Sequence, residues 1–214
     1  MNEPVKPRRY RSAVREEQAR RTRRAILSAA RGLFAEHGYA ATTIAQIAAA
    51  AGVAVDTVYA SVGTKPVLMR LLMETAISGT DRAVTAEQRD YVKEVRAADG
   101  ARAKIILYAA AVTKINARLA PLDLVLRGAA ATAPELAGIR DEISSRRAAN
   151  MRMFAQDLAD TGDLRPELDL DEVADVVWSM NSAEYFTLLV RERGWGPDRF
   201  AAWLADAWCR LFLA

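Results

Sequence analysis

The sequence predicts an all-α protein, and three of its features favour that fold class. Alanine occurs 43 times and arginine 25 times among 214 residues, and both residue types have high helix propensity. Long segments repeat apolar residues at intervals of three and four, which is the spacing of an amphipathic helix. No segment shows the strict alternation with β-branched residues that marks a half-buried strand. We expect a flexible basic arm, a small helical domain, a linking helix and a helical bundle at residues 1–13, 14–64, 65–80 and 81–214.

Four helices are predicted in the N-terminal third of the chain. The first carries a stripe of apolar residues and is expected to stop at Gly38, since glycine commonly follows the last helical residue. Two short helices and a longer one follow it. The predicted ranges are Val14–Glu36, Ile44–Ala51, Val55–Val62 and Lys65–Ser78.

Longer helices are predicted after Gly79, with prolines at positions 121, 134, 166 and 197 separating them. Asp169 followed by Glu172 resembles a capping box with a carboxylate in place of the usual hydroxyl. The predicted ranges are Glu87–Arg96, Ala101–Arg118, Leu122–Ala130, Glu135–Asp160, Asp171–Arg193 and Pro197–Phe212.

The composition excludes several classes of protein. A single cysteine, Cys209, rules out an internal disulfide framework and a multi-cysteine metal site. A single histidine, His37, leaves little scope for a Ser–His–Asp hydrolase or a His-ligated zinc site. We therefore expect no metal, no cofactor and no enzymatic activity. The segment Pro4–Arg24 is rich in arginine, and the longest charge-free run, His37–Val55, contains polar residues and glycines, so we expect neither a secretory signal nor a membrane span and assign the protein to the cytoplasm.

Basic residues are concentrated at the start of the chain. Residues 1–75 carry 12 Lys/Arg against 6 Asp/Glu, whereas the remainder carries 18 against 21. A basic end on a neutral-to-acidic body suggests a polyanionic partner, either nucleic acid or an anionic membrane. A solvated tail without a partner is the alternative that charge alone leaves open.

Residues 43–65 have the spacing of a helix-turn-helix. Alanine at position 48 lets two helices cross closely, and Gly52 can adopt the left-handed turn between them. Thr43 and Gln46 form a capping box at the start of the first helix. The second helix is then suited to enter a major groove, although an unrelated αα-hairpin has similar spacing. The shared core is expected to contain Ile47, Val53 and Val58.

The segment Arg24–Leu72 resembles the DNA-binding domain of the tetracycline-repressor (TetR) family of bacterial transcription regulators. The order Gly-Tyr, Thr-Thr, Ile-Ala, Ala-Gly-Val, Thr-Val-Tyr and Lys is specific in combination, and the segment covers about a quarter of the chain. The matching residues are Ile26, Ala29, Ala30, Leu33, Phe34, Gly38, Tyr39, Thr42, Thr43, Ile47, Ala48, Ala51, Gly52, Val53, Thr57, Tyr59, Lys65 and Leu68.

The resemblance implies a set of DNA contacts. Phosphate oxygens would be held by Thr42, Tyr59 and Lys65, together with the backbone amides of Ala54 and Val55. Base edges would be read by Gln46, Val55, Asp56, Thr57 and Ala60, and the expected interface also includes Thr43, Ser61 and Thr64.

The sequence departs from the family pattern at a few positions. Ser61 and Val62 stand where an aromatic residue or histidine and then phenylalanine are usual, Pro66 replaces a common acidic residue, and Ala45 replaces an arginine of some members. These changes affect one phosphate contact and much of the direct base reading. The basic arm either enters a minor groove in compensation or is disordered.

The resemblance also implies that the last two helices pair with those of a second subunit, giving a homodimer that binds a two-fold-symmetric operator. The periodicity agrees with this, although an intramolecular core is the alternative for each residue. The expected interface is Val173, Val176, Met180, Ala183, Thr187, Trp203, Leu204, Trp208 and Leu211.

A ligand cavity is predicted on the other face of the helix Asp171–Arg193, where aromatic residues flank an amide. Its expected lining is Trp178, Asn181 and Tyr185, with Tyr108, Val112, Leu122, Leu126, Asn150, Met151 and Phe154. We therefore expect a repressor released from double-stranded operator DNA by a small apolar effector. A ligand-independent regulator or activator is the first alternative. A helical enzyme or small-molecule carrier with an incidental hairpin is more remote, and a membrane-surface protein is the most remote.

Overall fold

The computed structural model describes residues 8–214, and it describes side chains from Val14 onward. Over this range the chain is all-α as predicted, and its one β-type pairing is an isolated bridge between Leu164 and Leu213. It divides into two compact units, Met1–Leu72 and Met73–Ala214. Residues 1–7 of the predicted basic arm lie outside the described residues.

The first unit contains α1 (Arg8–Ala41), α2 (Ile44–Ala51), α3 (Val55–Val62) and the start of α4 (Lys65–Ser78). The bounds of α2, α3 and α4 are those predicted. Helix α1 begins before Val14 because neither glycine nor proline interrupts residues 8–31. Gly38 has φ 76° and ψ 172°, so the regular helix bends there before Ala41.

The second unit contains the end of α4 and a bundle of helices. A short 3₁₀ turn, Ala86–Gln88, precedes the bundle. The bundle helices are α5 (Asp90–Ala97), α6 (Gly100–Ala130), α7 (Pro134–Ala159), α8 (Leu170–Met180), α9 (Ala183–Phe186), a π-helical turn (Thr187–Glu192) and α10 (Pro197–Phe212).

The predicted helix Glu87–Arg96 is wrong at its start, since Glu87 lies in the 3₁₀ turn and α5 begins at Asp90. Two further predictions are wrong in how they divide the chain into helices. Helix α6 continues through Pro121, since a proline removes only one main-chain hydrogen bond and the flanking Ala120 and Leu122 are anchored in the core. The predicted helix Asp171–Arg193 is divided because α8 ends at Met180 and the Ser182 hydroxyl caps α9 by accepting a hydrogen bond from the backbone N–H of Tyr185.

Helix α6 is the central helix of the second unit and packs against α5, α7 and α10. By length and composition it is apolar enough to cross a membrane, but half of its most apolar window is buried within the fold, so it is a core helix. Its Tyr108 ring lies 4.5 Å from Phe154 and 5.7 Å from Trp208, measured between centroids.

The buried Lys104 of α6 forms polar contacts with two other helices of this unit, α5 and α7. Its Nζ on α6 donates to the carbonyl oxygens of Val95 (3.2 Å) and Arg96 (2.9 Å) near the end of α5. It also lies 3.1 Å from each carboxylate oxygen of Asp157 on α7. The ammonium thus compensates both a helix C-terminus and a partly buried carboxylate.

Candidate nucleic-acid interface and second-unit cavity

Helices α2 and α3 cross at 99°, within the range of roughly 90–120° typical of helix-turn-helix units. Gly52 makes the turn with φ 67° and ψ 33°, and its N–H donates to the carbonyl oxygens of Ala48 and Ala49. A residue with a Cβ would be strained in this left-handed conformation. The predicted role of Gly52 is confirmed.

The predicted capping box orients the start of α2. The Thr43 hydroxyl accepts from the Gln46 backbone N–H at 3.2 Å, and Gln46 Oε1 accepts from the Thr43 N–H at 2.7 Å. Both side chains are exposed. The side-chain oxygen of Gln46 therefore takes part in the cap. Its side-chain NH₂ group remains available to donate a hydrogen bond to another molecule.

Helix α3 has one buried and one exposed face. Val58 and Val62 are buried at 0% and 5% relative exposure, and with Ile47 they join the core of the first unit. The opposite face exposes Val55, Asp56, Tyr59 and Ala60. These exposed side chains lie among the predicted base-reading and phosphate-binding residues.

The remaining predicted contacts surround this face. Ala54 and Thr64 are exposed, and Thr57 and Ser61 are half-buried. Lys65 is half-buried, its Nζ lying 3.4 Å from the Ala40 carbonyl oxygen and 4.2 Å from the centroid of the Tyr39 ring. Burial lowers the pKa of Lys65 from its ordinary value.

Thr42 is not placed to bind DNA, and its predicted phosphate contact is wrong. The residue is fully buried, and its hydroxyl lies 2.8 Å from the Gly38 carbonyl oxygen and 3.2 Å from that of Leu33. It donates to main-chain acceptors next to the bend in α1. Thr42 therefore stabilises the path from α1 into α2.

A cavity of about 390 Å³ lies within the second unit. Its lining includes eight of the ten predicted ligand-pocket residues: Tyr108, Val112, Leu126, Asn150, Met151, Phe154, Trp178 and Asn181. Leu122 and Tyr185 do not line it, contrary to prediction. Leu122 is buried elsewhere in the core, and Tyr185 packs between Phe200 (6.2 Å) and Trp203 (5.8 Å) because the break at Asn181–Ser182 changes the helical phase.

A polar network forms one wall of the cavity. Asn181 Nδ2 lies 2.8 Å from both Tyr108 Oη and Met151 Sδ, and Asn181 Oδ1 accepts from Arg147 Nη1 at 3.1 Å. Asn116 Nδ2 donates to the Asn181 carbonyl oxygen at 3.0 Å. Burial raises the pKa of Tyr108, so its hydroxyl stays protonated. The buried amide of Asn181 is thus satisfied by protein groups.

Sequence reasoning missed two members of this wall. Asn116 continues the stripe of Tyr108 and Val112 at intervals of four, so periodicity could have found it. Arg147 precedes Met151 by four residues on α7, but its charge argues against an inward position.

The predicted dimer residues are not all on the surface. Val173, Ala183, Leu204 and Trp208 are buried at 0–5% exposure in the chain's own core, so their assignment to an interface is wrong. Val176, Met180, Thr187 and Trp203 are half-buried, and Leu211 is 46% exposed. Amphipathic spacing alone did not separate core from surface apolar residues.

Within the described part of the chain, no group of three or more His, Cys, Asp or Glu side chains lies close enough together to hold a metal ion. Cys209 is buried, and burial raises the pKa of its thiol.

Comparison with known proteins matches residues 26–70 to the family "Bacterial regulatory proteins, tetR family". No curated protein matches the chain in sequence.

Many solved structures share the fold. NalD of Pseudomonas aeruginosa, the secondary repressor of the MexAB-OprM multidrug efflux pump, has a TM-score of 0.71 and 22% identity, covering 92% of this chain and 98% of its own. FadR of Bacillus subtilis, solved with stearoyl-CoA, has a TM-score of 0.70 and 19% identity, covering 86% and 96%. A regulator from Saccharomonospora viridis, solved with choline, has a TM-score of 0.66 and 18% identity, covering 90% and 97%.

Proposed function

The chain carries the DNA-binding domain of the TetR family of bacterial regulatory proteins, and from that premise we propose that it is a homodimeric repressor released from its operator by a small molecule. The observation that carries the proposal is the exposed face of α3, presented beside α2 at 99° by a glycine turn and a capping box. This arrangement suits insertion of α3 into a major groove.

In the proposed complex, Asp56 accepts from a cytosine amino group and Val55 contacts a thymine methyl group. Tyr59 and Lys65 donate to phosphates on either side and fix the position of α3 without reading sequence. Both Val55 and Tyr59 are at least 40% exposed, so neither has to leave the core to make its contact.

The proposed dimer uses apolar side chains that remain accessible on the last helices. On α8, Val176 and Met180 are four residues apart, and on α10, Trp203 and Leu211 lie on a common stripe. Association would cover both stripes and place two recognition helices about 34–36 Å apart, one turn of B-DNA.

We assign effector binding to the cavity, and α4 is the element suited to couple it to DNA. Met73 and Ile77 of α4 line the cavity, whereas Lys65 at its other end lies beside the proposed DNA surface. Glu74 of α4 forms an ion pair with Arg146 of α7, and the Ala76 carbonyl oxygen accepts from Arg118 of α6 at 2.9 Å. A shift of α7 on ligand binding would therefore act on α4 through these contacts.

The test combines a promoter reporter with DNA binding by the purified protein. Repression requires that deleting the protein raises transcription from the promoter it binds, and an effector should weaken DNA affinity about 5- to 150-fold. Trp178→Ala should lose the response to effector and keep DNA affinity, whereas Leu124→Ala, which alters an exposed side chain outside the cavity lining, should keep both. Equal affinity with and without a ligand shown to bind the cavity would refute ligand-controlled release.

A further inference from the structure

We propose that the effector is an amphipathic carboxylic acid whose carboxylate binds Arg147. This inference rests on the proposed function of the cavity and specifies the chemistry of its ligand. It is carried by the Arg147 guanidinium on the cavity wall, which forms one hydrogen bond and has no carboxylate at salt-bridge distance.

Arg147 has N–H donors available for an anion in the cavity. Its Nη1 donates to Asn181 Oδ1 at 3.1 Å, and its guanidinium lies 4.5 Å from the centroid of the Trp178 ring. Over residues 14–214, no carboxylate lies at salt-bridge distance from it, and no second hydrogen bond is formed. Burial lowers the pKa of Arg147, so the structure carries a desolvation cost that a bound anion would offset.

Most of the other charged side chains of the lining form ion pairs. Arg127 pairs with both Asp123 and Glu184, and these two carboxylates also act on Arg147 at longer range, although neither lies at salt-bridge distance from it. The two arginines and the two carboxylates therefore balance in charge. Elsewhere in the lining, Arg140 pairs with Asp141, Arg146 with Glu74, and Asp157 with Lys104. Two further lining arginines, Arg89 and Arg96, form no ion pair within the described residues, so the lining as a whole is positively charged. Of these arginines, Arg147 is the one that belongs to the polar wall, through its hydrogen bond to Asn181.

The same geometry disfavours a cationic ligand. Aromatic rings bind quaternary ammonium groups through their faces, and one face of Trp178 is already covered by the Arg147 guanidinium. A cation in the cavity would also meet Arg147 directly. An anion instead meets a guanidinium that has no carboxylate at contact distance, and the planar guanidinium suits a carboxylate in a two-point contact.

The polar wall offers a second donor to such an anion. The Tyr108 hydroxyl donates to Met151 Sδ at 3.1 Å, and a thioether is a weak acceptor. Rotation of the hydroxyl toward a carboxylate would exchange a weak hydrogen bond for a charge-assisted one. The rest of the ligand would be apolar, because the adjacent lining includes Val112, Ile115, Leu119, Leu126 and Phe154.

The test compares four probes that share a ten-carbon chain: decanoate, decan-1-ol, decyl phosphate and decyltrimethylammonium. Their affinities for the full-length protein are measured without DNA, by calorimetry and by quenching of tryptophan fluorescence. Wild type should bind decanoate at least about tenfold more tightly than the alcohol or the ammonium, as expected for a charge-assisted contact. Decanoate should also bind at least as tightly as the phosphate.

Arg147→Gln should lower the affinity for decanoate to that for decan-1-ol. Arg147→Lys, which keeps the charge without the planar guanidinium, should lose part of the preference for decanoate over decan-1-ol. The matched control is Arg140→Gln, which removes the same charge from an exposed, paired arginine of the same lining and should keep the preference. Thermal unfolding identifies any variant that fails to fold, and Arg147→Lys is the second variant if Arg147→Gln is lost.

Three results would overturn the inference. They are no binding of decanoate to wild type at millimolar concentration, equal affinity for decanoate and decan-1-ol, or an unchanged preference for decanoate in Arg147→Gln. A preference for decyl phosphate over decanoate would also overturn the carboxylate assignment. If decanoate binds through Arg147 but leaves DNA affinity unchanged, the inference stands and the proposed regulation fails.

Discussion

Replacing Thr42 by valine separates the structural role seen here from the phosphate contact that the family resemblance implies. The side chain is fully buried, and its hydroxyl reaches the carbonyl oxygens of Gly38 at 2.8 Å and Leu33 at 3.2 Å. Valine has nearly the same shape but no donor. The substitution therefore leaves buried carbonyl oxygens without this partner while the packing is nearly unchanged.

The expected cost is about 1–3 kcal/mol in the free energy of unfolding, the usual penalty for an unsatisfied buried polar group. In a chain of this length that corresponds to a fall of roughly 2–12 °C in the unfolding midpoint, which calorimetry or circular dichroism detects. The affinity of the folded protein for DNA, measured well below the midpoint, should be unchanged.

Tyr59→Phe is the matched comparison, since it also removes one hydroxyl but from a side chain that is 50% exposed. It should leave the midpoint within about 1 °C and weaken DNA binding about tenfold, because a hydrogen bond to a charged phosphate is lost. The opposite pattern, with Thr42→Val weakening DNA binding and leaving stability intact, would refute the assignment of Thr42 to the fold.

Three further predictions concern other parts of the molecule. Lys104→Met should lower the free energy of unfolding by about 3 kcal/mol in urea titrations, because it breaks a largely buried ion pair, whereas Lys114→Met on the exposed side of α6 should be nearly neutral. Met180→Glu should give monomers by sedimentation, whereas Leu124→Glu at a 68% exposed position outside the proposed interface should not. Asp56→Ala should change the preferred base at one position of each half-site, with a loss of discrimination of about 1–3 kcal/mol in a comparison of single-base operator variants.

The helix-turn-helix could be predicted closely from sequence because its signals are local. Gly52 requires a left-handed turn, and Thr43 with Gln46 sets the first residue of α2 through hydrogen bonds between near neighbours. Such interactions depend little on the rest of the chain. The bounds of α2 and α3 therefore agree with prediction.

Features that depend on tertiary packing were harder to predict. The break after Asn181 arises where its side chain bonds to Tyr108 and its carbonyl oxygen to Asn116, both distant in sequence. Trp208 lies on an amphipathic stripe that suits either an interface or a core, and only the packed structure shows that it is fully buried. Arg147 was missed because a charged residue is ordinarily placed outward.

The most direct test of the account is selection of binding sites from a random DNA library, followed by affinity measurements across a series of salt concentrations. A symmetric dimer reading DNA through α3 should enrich a two-fold-related site whose half-sites are one helical turn apart, and its affinity should fall steeply with salt as phosphate contacts release counterions. Lys65→Ala should weaken selected and unselected DNA about equally and lower the salt slope by about one. No enrichment of any sequence, or binding that does not respond to salt, would contradict the assignment of α3 as a recognition helix.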